Sequence, residues 1–540
     1  MKFTLRRAIY LSMAFSTTVF AADQLAPSSQ PPGGLLPQQV PMFVSFGFDD
    51  NMYSGYPELG LGEGGMKWAI DLFKVRSNPA GNGNLATFDG TPARVSFYNT
   101  CTYGMDWTAE NPVWVKKAWR EAYLDGHEIG NHTVHHAPGG EKRSEADWYK
   151  EIKDCSDFLT RPYNPNESLQ SPNASNGIGI NPDDLKGFRT PFLKFNDNTF
   201  KAMIKAGFSY DVSIEEGFQT NQDGTNHYWP YTLDFGSPGN EERVANGQSE
   251  PISTYAGFWS LPVYTFIVPP DNEAEKYGLD YSLRDVAAQK KPYFNKSDGK
   301  IKGLDYDLFY EFNLNKKELL ATLKYTFDQR LNGNRAPLLL GVHTDMYHDR
   351  KTEDAQMRRE VFEEFLDYML SHSEVRIVPF SQIISWMSAP TALDGDVTPH
   401  YQITVSVQGH QVDTNVCTEP SWDRLVGYPA NSTVSHNGYL WTNNWWSTGE
   451  EPGASDWGPW VKGQACQSST IEYFGTISPN ENIFVAENEE QIFVLTPEKG
   501  YAVDYVKVNG TTIVLEQTNQ FTVGPVTEKT AIEVAFKPIL

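Results

Sequence analysis

The stretch FVSFGFDDN, Phe43–Asn51, joins an apolar run to two adjacent carboxylates. Successive side chains of a β-strand point to opposite faces of a sheet, and an unpaired acid beside an apolar run is costly to bury. We therefore expect a buried strand that ends at Asp49, where the chain turns and can present both Asp49 and Asp50 to one site.

Strand and helix patterns alternate along the chain after this stretch, as far as about Met387. Val113–Leu124 has helical spacing, and Asn315 followed by Glu318 has the spacing of a capping box at the start of a helix. The run APLLLGVH, Ala336–His343, is continuously apolar and predicts a buried parallel strand. Such alternation predicts an α/β fold with a parallel sheet.

Three segments near the end of this region continue the alternation: VFEEFLDYML predicts a helix, VRIVPF a strand and SQIISWM a helix. Polar residues stand at the carboxyl ends of the predicted strands, namely the Asp49/Asp50 pair, His132, Arg189 and His343. In a β/α barrel the active site is built at that face. The sequence therefore predicts one site to which four separate segments contribute.

The 540-residue chain carries 68 acidic and 44 basic residues, a net charge of −24. Nucleic acids and anionic membranes bind cationic surfaces, so we expect neither as a partner. The length is compatible with two to four domains.

The first residues, MKFTLRRAIYLSMAFSTTVFAA, have a basic start, a short apolar stretch and a small-residue cleavage site. This pattern predicts a secretory signal peptide at residues 1–22, too short in its apolar part for a membrane anchor. We expect a secreted protein, extracellular or periplasmic, that does not associate with a membrane once the signal is removed. Residues 23–40 form a Pro/Gly/Gln-rich leader.

The chain has four cysteines, which allow three disulfide pairings. They fall into two pairs along the chain, which favours Cys101–Cys155 and Cys417–Cys466. Their spacing suits no zinc knuckle, so we interpret them as structural bridges.

The stretch HEIGNHTVHH, His127–His136, lacks the H-E-x-x-H spacing of zinc proteases. His132 and His136 are four residues apart, so on a helical turn they would share a face and could bind one metal. Together with Asp50 they make two imidazoles and one carboxylate, a set that leaves positions open for water and substrate. Asp49 then remains free as a base.

Four motifs occur in the order seen in polysaccharide deacetylases, carbohydrate esterase family four. They are FGFDD (Phe46–Asp50), HTVHH (His132–His136), RTPF (Arg189–Phe192) and LGVH (Leu340–His343), within roughly the first 390 residues. The segments YDVSI, YWPYTLDFGSP and NRAPLLLGVH further resemble the chitin deacetylase branch. The resemblance implies a distorted, incomplete (β/α) barrel over residues 41–390.

The resemblance also implies roles for individual residues. Asp50, His132 and His136 would hold a divalent metal, usually Zn²⁺, with other divalent ions such as Co²⁺ as alternatives. Asp49 would act as the base toward the attacking water, and His343 would protonate the departing amine.

The remaining roles concern orientation and binding. Arg189 would pair with Asp49, and Asp211 would keep His343 protonated by lying close to it. The backbone N–H of Phe192 would stabilise the oxyanion. Trp229 would contact the substrate.

Three departures from the family pattern are visible in the sequence. Gly47 stands where Thr or Ser is usual, and Phe192 replaces the usual Tyr, although a backbone contact survives that change. The common D-x-x-D-W form of the fourth motif is absent. Asp211 and Trp229 therefore rest on the chitin deacetylase branch alone.

Residues 391–415 resemble a linker or edge strand, and residues 416–467 are rich in Trp, Gly and Asn. The segment WWSTGEEP within them resembles short chitin-binding modules of bacterial chitinases. That resemblance assigns carbohydrate contacts to Tyr439, Trp445 and Trp446, with one of the two adjacent Trp residues in the core. Residues 468–540 alternate like β-strands and predict a small all-β accessory module.

The leading hypothesis is a secreted, metal-dependent N-deacetylase of chitin or chitooligosaccharides that releases acetate. Two alternatives remain open. The acetylated polymer could be peptidoglycan or xylan, or the chain could be a catalytically silent chitin-binding protein. We expect a monomer. The long insertions Asn51–Pro92 and Ser213–Asp307 are expected to shape the cleft.

Overall fold

The computed structural model describes residues 25–394, 400–415, 419–455, 457–479, 483–486, 488–515 and 519–539. The signal peptide predicted at residues 1–22 lies outside the described residues. The Cys417–Cys466 bridge lies outside them as well, because Cys417 does. The chain divides into two compact units, with the boundary between residues 397 and 398.

A nine-stranded sheet forms the centre of the first unit, with the order β12-β1-β2-β3-β4-β5-β8-β7 and β13 also paired to β1. All of its pairings are parallel except that of β7 with β8. The sheet curls into an open half-barrel, which confirms the predicted α/β fold class. The strands of this unit are β1 Met42–Asp50, β2 Ser96–Asn99, β3 Glu128–Asn131, β4 Gly187–Phe188, β5 Tyr210–Asp211, β6 Glu215–Glu216, β7 Tyr231–Thr232, β8 Trp259–Ser260, β9 Val263–Tyr264, β10 Phe266–Ile267, β11 Lys300–Ile301, β12 Leu338–His343 and β13 Val375–Ile377.

Helices connect most of these strands, as the alternating pattern predicts. They are α1 Gly65–Lys74, α2 Thr102–Met105, α3 Pro112–Leu124, α4 Glu145–Thr160, α5 Asp197–Lys205, α6 Pro238–Ala245, α7 Leu283–Lys290, α8 Lys316–Asn332, α9 Ala355–Leu370 and α10 Phe380–Ser388. The capping box predicted for α8 is present, since the Asn315 side chain accepts from the Glu318 N–H and Glu318 accepts from the Asn315 N–H. Such caps satisfy backbone donors that a helix start leaves unpaired.

Strand β1 is buried along almost its whole length, because both of its faces are covered. The parallel register with β12 sets Asp49 opposite His343. The register with β2 sets Asp50 opposite Asn99, and β3 follows on the other side of β2. The carboxyl ends of β1, β3 and β12 therefore meet at one edge of the sheet.

The second unit is all β. Its strands are β14 His400–Val407, β15 His410–Asn415, β16 Gly427–Tyr428, β17 Thr433–His436, β18 Tyr439–Asn443, β19 Ser447–Thr448, β20 Trp460–Ala465, β21 Gln467–Glu472, β22 Gly475–Ser478, β23 Ile483–Ala486, β24 Gln491–Pro497, β25 Tyr501–Val508, β26 Thr511–Ile513, β27 Gln520–Val523 and β28 Thr530–Pro538. A five-stranded sheet, β23-β14-β28-β25-β26, shares one core with a three-stranded sheet, β22-β24-β27.

Strand β14 lies within the segment expected to be a linker or edge strand, yet it occupies an internal position between β23 and β28. The C-terminal module is therefore discontinuous in sequence: it takes in residues 400–407 and resumes after β21. The antiparallel pair β15 and β21 connects it to the Trp-rich segment. Each helix among the described residues is too short or too polar to span a lipid bilayer.

Candidate active site

Asp50, His132 and His136 come together at the edge of the sheet where β1 and β3 end. One potential ligand atom from each lies within 4.8 Å of the other two. His136 Nε2 is 3.8 Å from Asp50 Oδ1, and the two imidazole centroids are 4.8 Å apart. Thr100 Oγ1 donates to Asp50 Oδ1 at 2.9 Å and so helps to orient the carboxylate.

The two histidines do not share a helical turn, and that expectation was wrong. They lie in a loop after β3 in which Thr133 and His136 have positive φ angles, 71° and 48°. Asn131 Oδ1 accepts from the Thr133 N–H, and Thr133 Oγ1 accepts from the His136 N–H. Local side-chain acceptors compete with helix formation, and these two bonds take the place of the i→i−4 backbone bonds of a helix. The resulting loop turns both rings toward Asp50.

The protonation states of this cluster suit a cation. Burial lowers the pKa of His132 to about 4, so the ring is neutral near pH 7. Its Nδ1 lies 2.8 Å from the Arg189 carbonyl oxygen, and a donor there leaves Nε2 as a lone-pair ligand. Burial raises the pKa of Asp50, but His136 and His132 outweigh it, and the pKa lies below its ordinary value.

Asp49 is held by an ion pair with Arg189, as expected. Arg189 Nη1 donates to Asp49 Oδ1 at 2.9 Å, and both side chains are almost fully buried. Arg189 also donates to the carbonyl oxygens of Gly47 and Val212. Such anchoring on both sides fixes the guanidinium and, through it, the orientation of the carboxylate.

The partner of His343 is Asp305, and the expectation that Asp211 fills this place was wrong. His343 Nδ1 lies 2.7 Å from Asp305 Oδ1, and the His343 N–H donates to Asp305 Oδ2. Asp211 Oδ2 instead accepts from the backbone N–H groups of Ser213 and Ile214, and its Oδ1 has no partner among the described residues. Asp211 therefore stabilises the turn after β5.

The ion pair determines the charge of the histidine. Burial alone would lower the pKa of His343, but the Asp305 carboxylate and its hydrogen bond raise it to about 10. His343 is thus protonated near neutral pH. An imidazolium at this position can donate a proton to a leaving group.

Phe192 lies at the site and Trp229 does not. Phe192 has a φ of 58°, is 55% exposed, and has its ring centroid 4.6 Å from that of His136. Trp229 is 2% exposed, stacks on Trp386, and donates to the Asn334 carbonyl oxygen. The expected substrate contact of Trp229 is contradicted, because its ring fills the hydrophobic core.

The site opens into a cleft of about 1190 Å³ that borders Asp49, Asp50, His132, His136 and His343. One wall comes from the second insertion, which contributes Phe218, Lys302 and Tyr306 among others. The first insertion contributes only Met52 among the described lining residues. A cleft of this size admits more than one sugar ring, since drug-sized ligands occupy 300–1,000 Å³.

Sequence comparison finds two known proteins that are similar to this chain. It is similar to the Bombyx mori protein named chitin deacetylase 8. The two are 22% identical over 370 residues, which is 68% of this chain and 76% of the silkworm protein. A second match, to endoglucanase A of Evansella cellulosilytica, is 49% identical over 41 residues, only 8% of either chain. No family model matches the sequence.

Two of the solved structures that are similar to this chain superpose on it with low TM-scores. A protein from Mycobacterium smegmatis assigned as a polysaccharide deacetylase is 18% identical, with a TM-score of 0.34, over 68% of this chain and 96% of that one. A family 4 carbohydrate esterase from Streptomyces lividans, in complex with acetate, is 17% identical, with a TM-score of 0.18, over 32% and 61%. Both TM-scores are below 0.5.

The Trp-rich segment exposes both members of its adjacent tryptophan pair. Trp445 is 49% exposed and Trp446 is 62% exposed, so the expectation that one of them lies in the core was wrong. The small core is made by Tyr428, Val434, Trp441 and Trp460. Because those rings fill it, the pair is left on the surface. Tyr439 is half-buried, with Lys462 Nζ 3.5 Å from its ring centroid.

Sequence reasoning missed Asp305. It lies 38 residues before His343, in the insertion, and belongs to no motif. Asp305 comes close to His343 because a parallel β-bridge joins Leu304 to Gly341 and sets the insertion beside β12. No local pattern in the sequence signals that pairing.

Proposed function

We propose that this chain is a metal-dependent N-deacetylase that hydrolyses the acetamide of N-acetylglucosamine units in chitin or chitooligosaccharides and releases acetate. The supporting observation is the convergence of three kinds of group on one cleft. The Asp50–His132–His136 cluster borders it. Asp49, paired with Arg189, and His343, paired with Asp305, border it as well.

The donor set fits a divalent cation. One ionised carboxylate and two imidazoles, of which His132 is neutral with Nε2 available, match the ligands that Zn²⁺ prefers, and Co²⁺ accepts the same set. Three protein ligands leave room for substrate. When bound there, the cation supplies Lewis acidity, which lowers the pKa of water and polarises an amide carbonyl.

The protein's own groups divide the proton transfers. Asp49, oriented by Arg189, accepts a proton from the attacking water while the water oxygen bonds to the acetamide carbon. His343 donates its Nε2 proton to the amide nitrogen as the C–N bond breaks, because an amine leaves poorly without one. Acetate and a glucosamine unit result. The Phe192 N–H is proposed as a donor to the carbonyl oxygen as it becomes anionic.

The polymer is proposed from two features outside this chemistry. The exposed Trp445 and Trp446 offer flat faces on which sugar rings stack, as in the modules that this segment resembles. The similarity to a protein named chitin deacetylase 8 covers 68% of this chain. Secretion, proposed from the first 22 residues, would bring the protein to an extracellular polymer.

Acetate release tests the proposal. The purified protein, reconstituted with Zn²⁺, should release acetate from N-acetylglucosamine pentamer and not from acetylxylan. A chelator should abolish release, and Zn²⁺ should restore it. Asp49→Asn should lower the rate about 10²- to 10⁴-fold, the usual contribution of a general base, while the zinc content stays stoichiometric.

Other outcomes would direct the interpretation elsewhere. Faster release from acetylxylan or peptidoglycan would replace the chitin assignment. Stoichiometric zinc without acetate release from any of these polymers, in a protein that sediments with chitin, would indicate a catalytically silent binding protein.

A further inference from the structure

A third ion pair borders the cleft and takes no part in the proposed proton transfers. Asp345 is in the short 3₁₀ turn Thr344–Tyr347 that follows β12, and its Oδ2 lies 3.3 Å from Lys351 Nζ. Both residues border the cleft. The Asp345 side chain is only 3% exposed, whereas that of Lys351 is 40% exposed.

Asp345 is surrounded by charged and polar groups of the site. Asp50, Tyr103 and His343 line the same cleft as Asp345. Its Oδ1 is buried and has no hydrogen-bond partner among the described residues. Asp345, two residues after the His343 that ends β12, thus links the lysine to the strand end that contributes to the site.

The backbone also constrains Lys351. The His348 N–H donates to the Asp345 carbonyl oxygen, and the Lys351 N–H donates to the His348 carbonyl oxygen. The His348 ring stacks on Tyr53 with centroids 4.3 Å apart and is fully buried. The loop therefore presents the lysine from a rigid base.

The geometry points to Lys351 as a residue that binds sugar oxygens on the metal side of the cleft, with Asp345 as the residue that positions it. This assignment rests on the proposed function and names a further binding residue for it. An ammonium group has three donors and no acceptor, so hydroxyl and acetamide carbonyl oxygens of a neutral oligosaccharide are suitable partners. Lys351 is exposed enough to reach them and is held at one end by a buried carboxylate.

A purely structural ion pair would have a different signature. It would stabilise the loop, and its loss would lower the melting temperature without a specific change in substrate binding. A substrate-binding lysine raises KM when it is removed and affects kcat less, because its contact is made in the ground state as well as in the transition state. The two roles are therefore separable by steady-state kinetics.

The test uses the full chain with Zn²⁺ and soluble N-acetylglucosamine pentamer. Lys351→Met should raise KM about tenfold, the loss expected for one hydrogen bond from a charged group, with kcat within about threefold. Lys351→Arg should recover most of the affinity. Asp345→Asn, which keeps the shape but removes the anchoring charge, should shift KM in the same direction.

Lys316→Met is the matched control, because Lys316 is 44% exposed, pairs with Glu360 and does not border the cleft. It should leave KM unchanged. Wild-type KM in Lys351→Met would overturn the assignment, and so would a fall in kcat alone. If Asp345→Asn fails to fold, the KM of Lys351→Met still tests the assignment, because Lys351 is about half exposed and its substitution leaves the core intact. No acetate release by the unsubstituted protein would overturn the proposed function itself, and this assignment with it.

Discussion

Three acidic residues at the site share a chemical type and differ in their partners. Asp49 is bound by Arg189, Asp50 faces two imidazoles, and Asp305 pairs with a histidine. A carboxylate beside a fixed cation stays ionised, and in return it keeps that cation charged. The partners thereby suit each acid to the role proposed for it. Asp49 is proposed as the base, Asp50 as a metal ligand and Asp305 as the support of a proton donor.

The ion pair of His343 predicts a shift in the pH–rate profile. With the Asp305 carboxylate present, His343 has a pKa of about 10 and remains protonated below it, so an acid role is lost only as the pH rises past that value. Asp305→Asn removes the negative charge and lowers the pKa. The alkaline limb of kcat should therefore move to lower pH, as measured by acetate release across the pH range.

Asp211→Asn serves as the control for this measurement. Its carboxylate caps a turn and has no contact with His343, so the alkaline limb should keep its position. A limb that moves in Asp211→Asn and stays in place in Asp305→Asn would contradict the assignment of the two acids.

Among the elements, the segment between β2 and α2 supports the proposed metal ligands. Cys101 forms a disulfide with Cys155 of α4, as predicted. The Cys101 N–H donates to the Thr133 carbonyl oxygen, and Thr100 donates to Asp50. The bridge therefore links α4 to a segment that contacts both Asp50 and the loop of His132 and His136.

Loss of this bridge should weaken both stability and metal binding. In the loop-entropy model, a disulfide that spans 54 residues raises the free energy of the unfolded chain by about 4 kcal/mol, because it reduces that chain's entropy. Cys155→Ser should lower the melting temperature by several degrees and raise the Kd for Zn²⁺, measured by calorimetry. Lys153→Met, on the exposed face of the same helix, should change neither. An unchanged Zn²⁺ affinity in Cys155→Ser would show that the loop holds its shape unaided.

At the scale of the whole molecule, the chain separates two kinds of surface. The cleft belongs to the first unit, and the exposed tryptophan pair belongs to the second. Hydrolysis of a soluble oligomer requires only the cleft, whereas retention on an insoluble polymer benefits from additional binding surface.

Substitution of the pair in the full chain should separate these properties. Trp445→Ala with Trp446→Ala should lower the fraction of protein that sediments with chitin and leave acetate release from soluble pentamer unchanged. Trp107→Ala, at a 65% exposed tryptophan of the first unit outside the cleft, should sediment like the unsubstituted protein. Equal sedimentation of the double variant would exclude the pair as a chitin contact.

Features that depend on neighbours along the chain could be predicted from the sequence alone. The apolar run before Asp49 predicted β1, the Asn315 capping box predicted α8, and the run before His343 predicted β12. Periodicity and capping act within a few residues, and a parallel sheet brings its strand ends to one edge. The clustering of polar residues at that edge followed from the pattern.

Features that depend on residues far apart in sequence became visible only in the folded protein. It paired His343 with Asp305, placed Trp229 in the core, and left Trp445 and Trp446 both exposed. It also inserted β14 into a sheet made of strands about 80 to 130 residues later. Burial and charge pairing depend on which distant surfaces pack together, and local propensity carries no information about that choice.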